Sequence, residues 1–209
     1  MALEADKRAI AVLQENFATE IKAGQLTVIH ADVRKLDLST LPITDHEYKV
    51  VANIPYYLSG FLFRTFLDST VQPSKLVFLV QKEVAERIAT DAKESLLSLA
   101  VKIFGQPLYV AEVGRENFDP VPGVDSAILA VEDINRDAFD KVNKEAFFDL
   151  LRCGFAAKRK RLSSNLAKRY PKPTVQAAFN NLNLPPNIRA EVVPAKTWLK
   201  LATSLTERL

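Results

Sequence analysis

Val50-Val51-Ala52-Asn53-Ile54-Pro55-Tyr56-Tyr57-Leu58-Ser59-Gly60 is the stretch on which the reading of the whole chain turns. The apolar run Val50–Ala52 reads as a buried parallel strand. Asn53-Ile54-Pro55-Tyr56 stands at its C-terminal end, which is where open α/β sheets bind ligands. Asn53 offers a side-chain carbonyl acceptor, and Pro55 a backbone C=O with no N–H beside it. Tyr56 adds a face for stacking. Two acceptors and a stacking platform suit the exocyclic amino group of a flat, polar heteroaromatic ring. The same residues also make an ordinary turn, since the residue before a proline is pushed out of the helical region. The surroundings have to decide.

Working outward, Leu26–Ile29 reads as a strand before this one and Lys75–Val80 as the buried strand after it. Ile10, Leu13, Phe17 and Ile21 recur at helical spacing, and Gly24 closes that helix. Leu62 and Phe66 mark a short helix after Ser59; Val84 and Ile88, then Leu96, Ala100 and Ile103, mark two more. Leu108–Val113 and Ala127–Val131 are strand-like and flank the loop Arg115–Asp125. Alternating strands and helices predict an α/β fold with a mainly parallel sheet. The last two strands, with no room for a helix between them, should pair antiparallel. From about Asp137 the pattern is all helical, with Phe147, Leu150, Leu151 and Phe155 on one face and Trp198, Leu201 and Leu205 turned inward on a final helix. The expected division is 1–136 for the α/β core and 137–209 for a small helical domain.

Composition narrows the chemistry. The 209 residues, 48% of them hydrophobic, are enough for a sizeable core. No apolar run approaches the length of a membrane span, and the N-terminus carries no signal-peptide pattern. The expectation is a cytoplasmic protein without membrane partners. Cys153 is the only cysteine and His30 and His46 the only histidines, which leaves no metal cluster and no histidine-based triad. Charge is divided unevenly. Residues 1–150 carry 16 Lys and Arg against 23 Asp and Glu, whereas residues 151–209 carry 12 against 2. Between Leu151 and Pro173 there are eight basic residues and no acidic one, including Lys158, Arg159, Lys160, Arg161, Lys168 and Arg169. A basic module of this kind meets a polyanion, and nucleic acid is the foremost candidate; a solvated helix face has the same pattern.

Two further features belong beside the central stretch. Glu4 and Asp32 follow predicted strands, where a carboxylate can accept from ribose hydroxyls or from an adenine amino group, or simply be a solvated loop acid. Phe118-Asp119-Pro120-Val121-Pro122-Gly123-Val124-Asp125-Ser126 is a stiff connection whose leading Phe118 offers a second stacking face or a core plug.

Taken in order, N-I-P-Y at Asn53–Tyr56, V-Q-K-E-V-A-E-R-I at Val80–Ile88, F-D-P-V-P-G-V-D-S at Phe118–Ser126 and R-C-G-F-A-A-K-R-K-R-L-S-S-N-L at Arg152–Leu166 resemble the ribosomal-RNA adenine N6,N6-dimethyltransferase family. The resemblance covers nearly the whole chain. It implies a Rossmann-like S-adenosylmethionine-dependent methyltransferase core followed by a small C-terminal all-helical, RNA-binding domain. It implies transfer of methyl groups from S-adenosylmethionine to N6 of adenosines in small-subunit (16S-type) rRNA, with a pre-30S-type particle as partner and no metal. By the same resemblance Glu4 matches the ribose-binding acid, Asp32 and Val33 the adenine-binding pair, and Asn53, Pro55 and Tyr56 the target-base motif, whose Asn53 also borders the cofactor. Phe118 matches the opposing aromatic. Members of the family open with a helix, a first strand and a glycine-rich G-x-G-x-G loop; this sequence is expected to start at the second strand of such a core. At Ala89–Leu97, where the family usually has a tyrosine-glycine pair, the chain has E-S-L-L. Alternatives on the same scaffold are a non-catalytic RNA-binding or ribosome-assembly protein and a methylase of large-subunit rRNA.

Overall fold

The computed structural model describes residues 1–206 and divides into two compact units, Met1–Ile43 and a larger one beginning at Thr44. In the first, β1 (Ala2–Glu4) pairs in parallel with β2 (Val28–His30), Ala2 opposite Val28 and Glu4 opposite His30. The single helix predicted from the apolar spacing is two, α1 (Lys7–Asn16) and α2 (Ala18–Lys22), with Phe17 out of helical conformation between them. The sequence has neither proline nor glycine at that point to announce the break. Asp6 starts α1 by accepting the Arg8 N–H at 2.8 Å. Gly24 ends α2 at φ +74°, the left-handed conformation that glycine adopts without a Cβ penalty. The strand expected over Leu26–Ile29 begins later, because the Gln25 and Leu26 N–H groups are spent on the Glu20 carbonyl. Leu38 is the only fully buried side chain among the residues of this unit.

The second unit is built on a four-stranded sheet ordered β3 (Lys49–Asn53), β4 (Lys75–Gln81), β6 (Ser126–Glu132), β5 (Gln106–Val113). β3 and β4 are parallel; β6 pairs antiparallel with β4 on one side and β5 on the other. Strands β3, β4 and β5 therefore run in one direction, as strands linked through helices do. β6 returns from β5 without a helix and slots between β5 and β4, a placement that strand periodicity does not encode. Leu76, Phe78 and Val80 alternate along β4 with no solvent exposure. Phe78 meets Phe63 and Phe66 of α3 (Ser59–Leu67) at ring-centroid distances of 5.1 and 6.1 Å. Ala85 and Ile88 of α4 (Lys82–Ala89) and Leu99 and Val101 of α5 (Leu96–Lys102) are equally buried. The E-S-L-L departure has a local purpose. Ser95 and Ser98 form a reciprocal capping box at the start of α5, and Glu94 binds both Ser98 and Lys102.

After Glu132 the described residues carry helices only: α6 (Lys144–Phe155), α7 (Leu162–Leu166), α8 (Lys172–Asn181) and α9 (Ala195–Thr206). Trp198, fully buried, stacks on Phe155 at 5.7 Å. Gly154 lets α6 approach that indole; a Cβ there would stand 2.3 Å from Trp198 Cη2. The boundary expected at 136/137 falls inside this unit. Asn135 N–H donates to the Phe104 carbonyl, Arg136 reaches Asp45 and the Thr70 carbonyl, and Lys144 pairs with Asp68 at 2.6 Å.

Candidate active site

β3 ends at Asn53, opposite Leu79 of β4. Ile54, 4% exposed, anchors the chain as it leaves the sheet. Pro55 (φ −58°, ψ 129°) then turns it into a 3-10 turn, Tyr56–Leu58, that runs on into α3. The Pro55 carbonyl accepts the Leu58 N–H at 2.9 Å, and Ser59 Oγ donates to the Tyr56 carbonyl at 2.8 Å. One lone pair of the Pro55 acceptor is therefore engaged by the turn and one is left. The Asn53 amide makes no hydrogen bond among the described residues.

The facing wall is the connection from β5 to β6. Its root is closed by Asp125, whose Oδ1 accepts the Arg115 N–H at 3.1 Å and whose carbonyl accepts the Lys82 N–H at 3.0 Å. Phe118, half-buried, follows a 3-10 turn at Arg115–Asn117. Asn53, Ile54, Pro55, Tyr56, Phe118, Asp119, Pro120 and Pro122 together line a cleft of ≈ 340 Å³, within the range of small-molecule sites. All four residues expected to meet a target base are on its walls.

A model of the family described as ribosomal RNA adenine dimethylase matches residues 1–207. The chain belongs to this family. Among its relatives, the ribosomal RNA small subunit methyltransferase A of Dehalococcoides mccartyi is 34% identical over 204 residues, 96% of this chain and 69% of that protein. Its counterpart in Lactococcus lactis is 33% identical over 220 residues, 98% of this chain and 72% of the relative. A solved dimethyladenosine transferase from Plasmodium falciparum superposes with a TM-score of 0.77 at 26% identity, over 95% of this chain and 78% of that one. The structure of the 23S rRNA methyltransferase ErmE superposes with a TM-score of 0.72 over 97% of this chain and 80% of its own, at 22% identity, a likeness of fold. The family and the relatives make the chain a methyltransferase, and the two solved structures show its Rossmann-like α/β fold.

The remaining expected residues of this dimethylase-family chain belong to other elements. Glu4 closes β1, and its Oε1 accepts the Ala5 and Asp6 N–H groups at 2.6 and 2.7 Å. Asp32, just beyond β2, is held by Arg34 through paired bonds of 3.0 and 2.6 Å from Nε and Nη2. Those bonds, with the Arg34 N–H, hold the Asp32 carboxyl down to about 2. The Val33 N–H carries no hydrogen bond among the described residues. Lys158, Arg159, Lys160 and Arg161 form an exposed turn between α6 and α7. They and Lys168 make no salt bridge among the described residues, whereas Arg169 pairs with Asp149 at 3.1 Å. No helix is long and apolar enough to cross a membrane, and no cluster of metal-ligating side chains is present among the described residues.

Sequence reasoning passed over Ser126 and Asn165. Ser126 Oγ lies 2.7 Å from the Tyr56 hydroxyl. Asn165, 1% exposed, donates to the Gly154 and Ala157 carbonyls at 2.6 and 3.2 Å and so fixes the start of the basic turn. Ser126 is the last residue of its motif and Asn165 the last but one of its own, and that position was the only available signal.

Proposed function

We propose that the protein transfers methyl groups from S-adenosylmethionine to N6 of adenosines in small-subunit rRNA, in a pre-30S-type particle. The carrying observation is the cleft at the end of β3, which joins the unpartnered Asn53 amide to two aromatic rings, Tyr56 and Phe118. An adenine leaving its stack loses a few kcal/mol, and stacking on these rings offsets part of that loss. The N6 lone pair is delocalised into the ring, so the amine is a poor nucleophile. The Asn53 carbonyl oxygen and the remaining lone pair of the Pro55 carbonyl accept the two N6 hydrogens, which favours a pyramidal nitrogen. Catalysis of this kind is positioning with electrostatic help.

The cofactor, when bound, supplies an electrophilic sulfonium methyl. Glu4 suits its ribose: Oε1 is committed to backbone N–H groups that orient the carboxylate, and Oε2 has no partner among the described residues. The Val33 N–H suits a ring nitrogen, and Asp32 accepts an adenine amine only by sharing its oxygens with Arg34. The turn Lys158–Arg161, with Lys168 and Arg169, holds RNA phosphates. The helical residues 137–209 thus serve RNA and the preceding residues serve chemistry, a division of labour within the chain. Replacing Asn53 by alanine and following tritiated methyl transfer tests the reading at its centre; undiminished turnover contradicts it.

A further inference from the structure

The dipeptide Asp125-Ser126 touches both walls of the cleft without lining it. Ser126 is the first residue of β6 and has no exposed surface, yet its hydroxyl is 2.7 Å from the Tyr56 hydroxyl, seventy residues away. Asp125 closes the root of the loop that carries Phe118 through the Arg115 N–H, and ties itself to the start of α4 through the Lys82 N–H. One short segment thus fixes the two aromatic residues at once. A tyrosine has a single polar atom, and burial of part of the ring makes that atom find a partner. Here the partner is rigid, because Ser126 is paired on both sides, to Gln81 and to Val113.

Resting on the function proposed above, we propose that Ser126 is a positioning residue for methyl transfer, acting through the hydroxyl of Tyr56. The bond sets the direction of the Tyr56 ring axis, and it occupies the phenol oxygen. What the ring then offers a base is its face alone, held at a constant aspect relative to Phe118. Loss of the bond frees the side chain to sample other rotamers, so that fewer encounters between base and cleft are productive, while the hold on RNA phosphates persists.

Two variants remove the bond from opposite ends, Ser126→Ala and Tyr56→Phe. Each is expected to lower kcat about three- to tenfold with KM for RNA within about twofold. The double variant is expected to lose no more than either single one, because both delete one interaction. Losses that multiply in the double variant overturn the proposal. A second arm needs no turnover. With 13Cζ-labelled tyrosine, Tyr56→Phe identifies the Tyr56 signal among the five, and Ser126→Ala should displace that signal and leave the other four in place. An unmoved Tyr56 signal overturns the positioning role whatever the activity. Failure of the unaltered protein to methylate RNA, with the signal displaced, instead strikes the proposed function and the catalytic role built on it. Should Ser126→Ala fail to fold, Tyr56→Phe alone carries the kinetic test, an unchanged kcat counting against the proposal.

Discussion

The Asn53 side-chain amide makes no hydrogen bond among the described residues although the walls around it are well ordered by bonds of their own. A polar group left open beside two aromatic rings suits an external partner rather than the fold. Asn53→Ala is expected to lower kcat by a factor on the order of 10²–10³, with RNA affinity nearly unchanged because phosphate binding dominates it. Single-turnover kinetics with a parallel binding isotherm checks both halves. Gly154 makes the opposite kind of demand. An added Cβ would meet Trp198 Cη2 at 2.3 Å and Leu162 Cδ1 at 3.0 Å, both in the packed interior. Gly154→Ala should destabilise by about 1–3 kcal/mol despite its better helix propensity, read from urea unfolding. Residues that work through neighbours in sequence were legible: Asn53, Pro55 and Tyr56 share one turn, and the structure places Phe118 across from them. Ser126 and Asn165 were not, since their partners are distant in the chain or are carbonyls that any residue has.

At the level of elements, the two units differ in how much they bury. α1 has no buried residue, whereas β4 and α9 are lined by side chains with almost no exposure. Amide exchange should therefore be at least about a hundredfold faster in Lys7–Asn16 than in Leu76–Val80 or Trp198–Leu205; equal protection would contradict this. The strands read from apolar runs are all present, and both termini of β4 match the pattern to within a residue. The burial expected of Val50–Ala52 is not found: β3 is the end strand of the four-stranded sheet and Val51 is 77% exposed. The position of β6 between β4 and β5 was not legible, because period-2 alternation states which face is buried and not which neighbour pairs. The break at Phe17 is likewise unmarked in composition. The basic turn tests another element. Replacing Lys158, Arg159, Lys160 and Arg161 with Gln should weaken RNA binding and reduce the slope of log K against log salt by roughly 0.7–0.9 for each phosphate that is no longer neutralised. An unchanged slope would make the turn a solvated surface.

For the molecule as a whole, an acidic stretch with the cleft is followed by a basic one, 23 acidic residues up to position 150 against 2 beyond it. On the proposed function, that polarity would orient RNA by drawing phosphates to the turn after α6 and away from the acidic stretch, which separates affinity from chemistry. Such a separation predicts that the cleft acts on a base presented within a bound particle rather than on free adenosine. The decisive experiment incubates the protein and isotopically labelled S-adenosylmethionine with small ribosomal subunits whose rRNA lacks adenine methylation. The rRNA is then digested and its nucleosides identified by mass spectrometry. Labelled N6,N6-dimethyladenosine in small-subunit rRNA, and none in large-subunit rRNA treated alike, is the predicted result; label confined to large-subunit rRNA, or absent while the particle is bound, would contradict it.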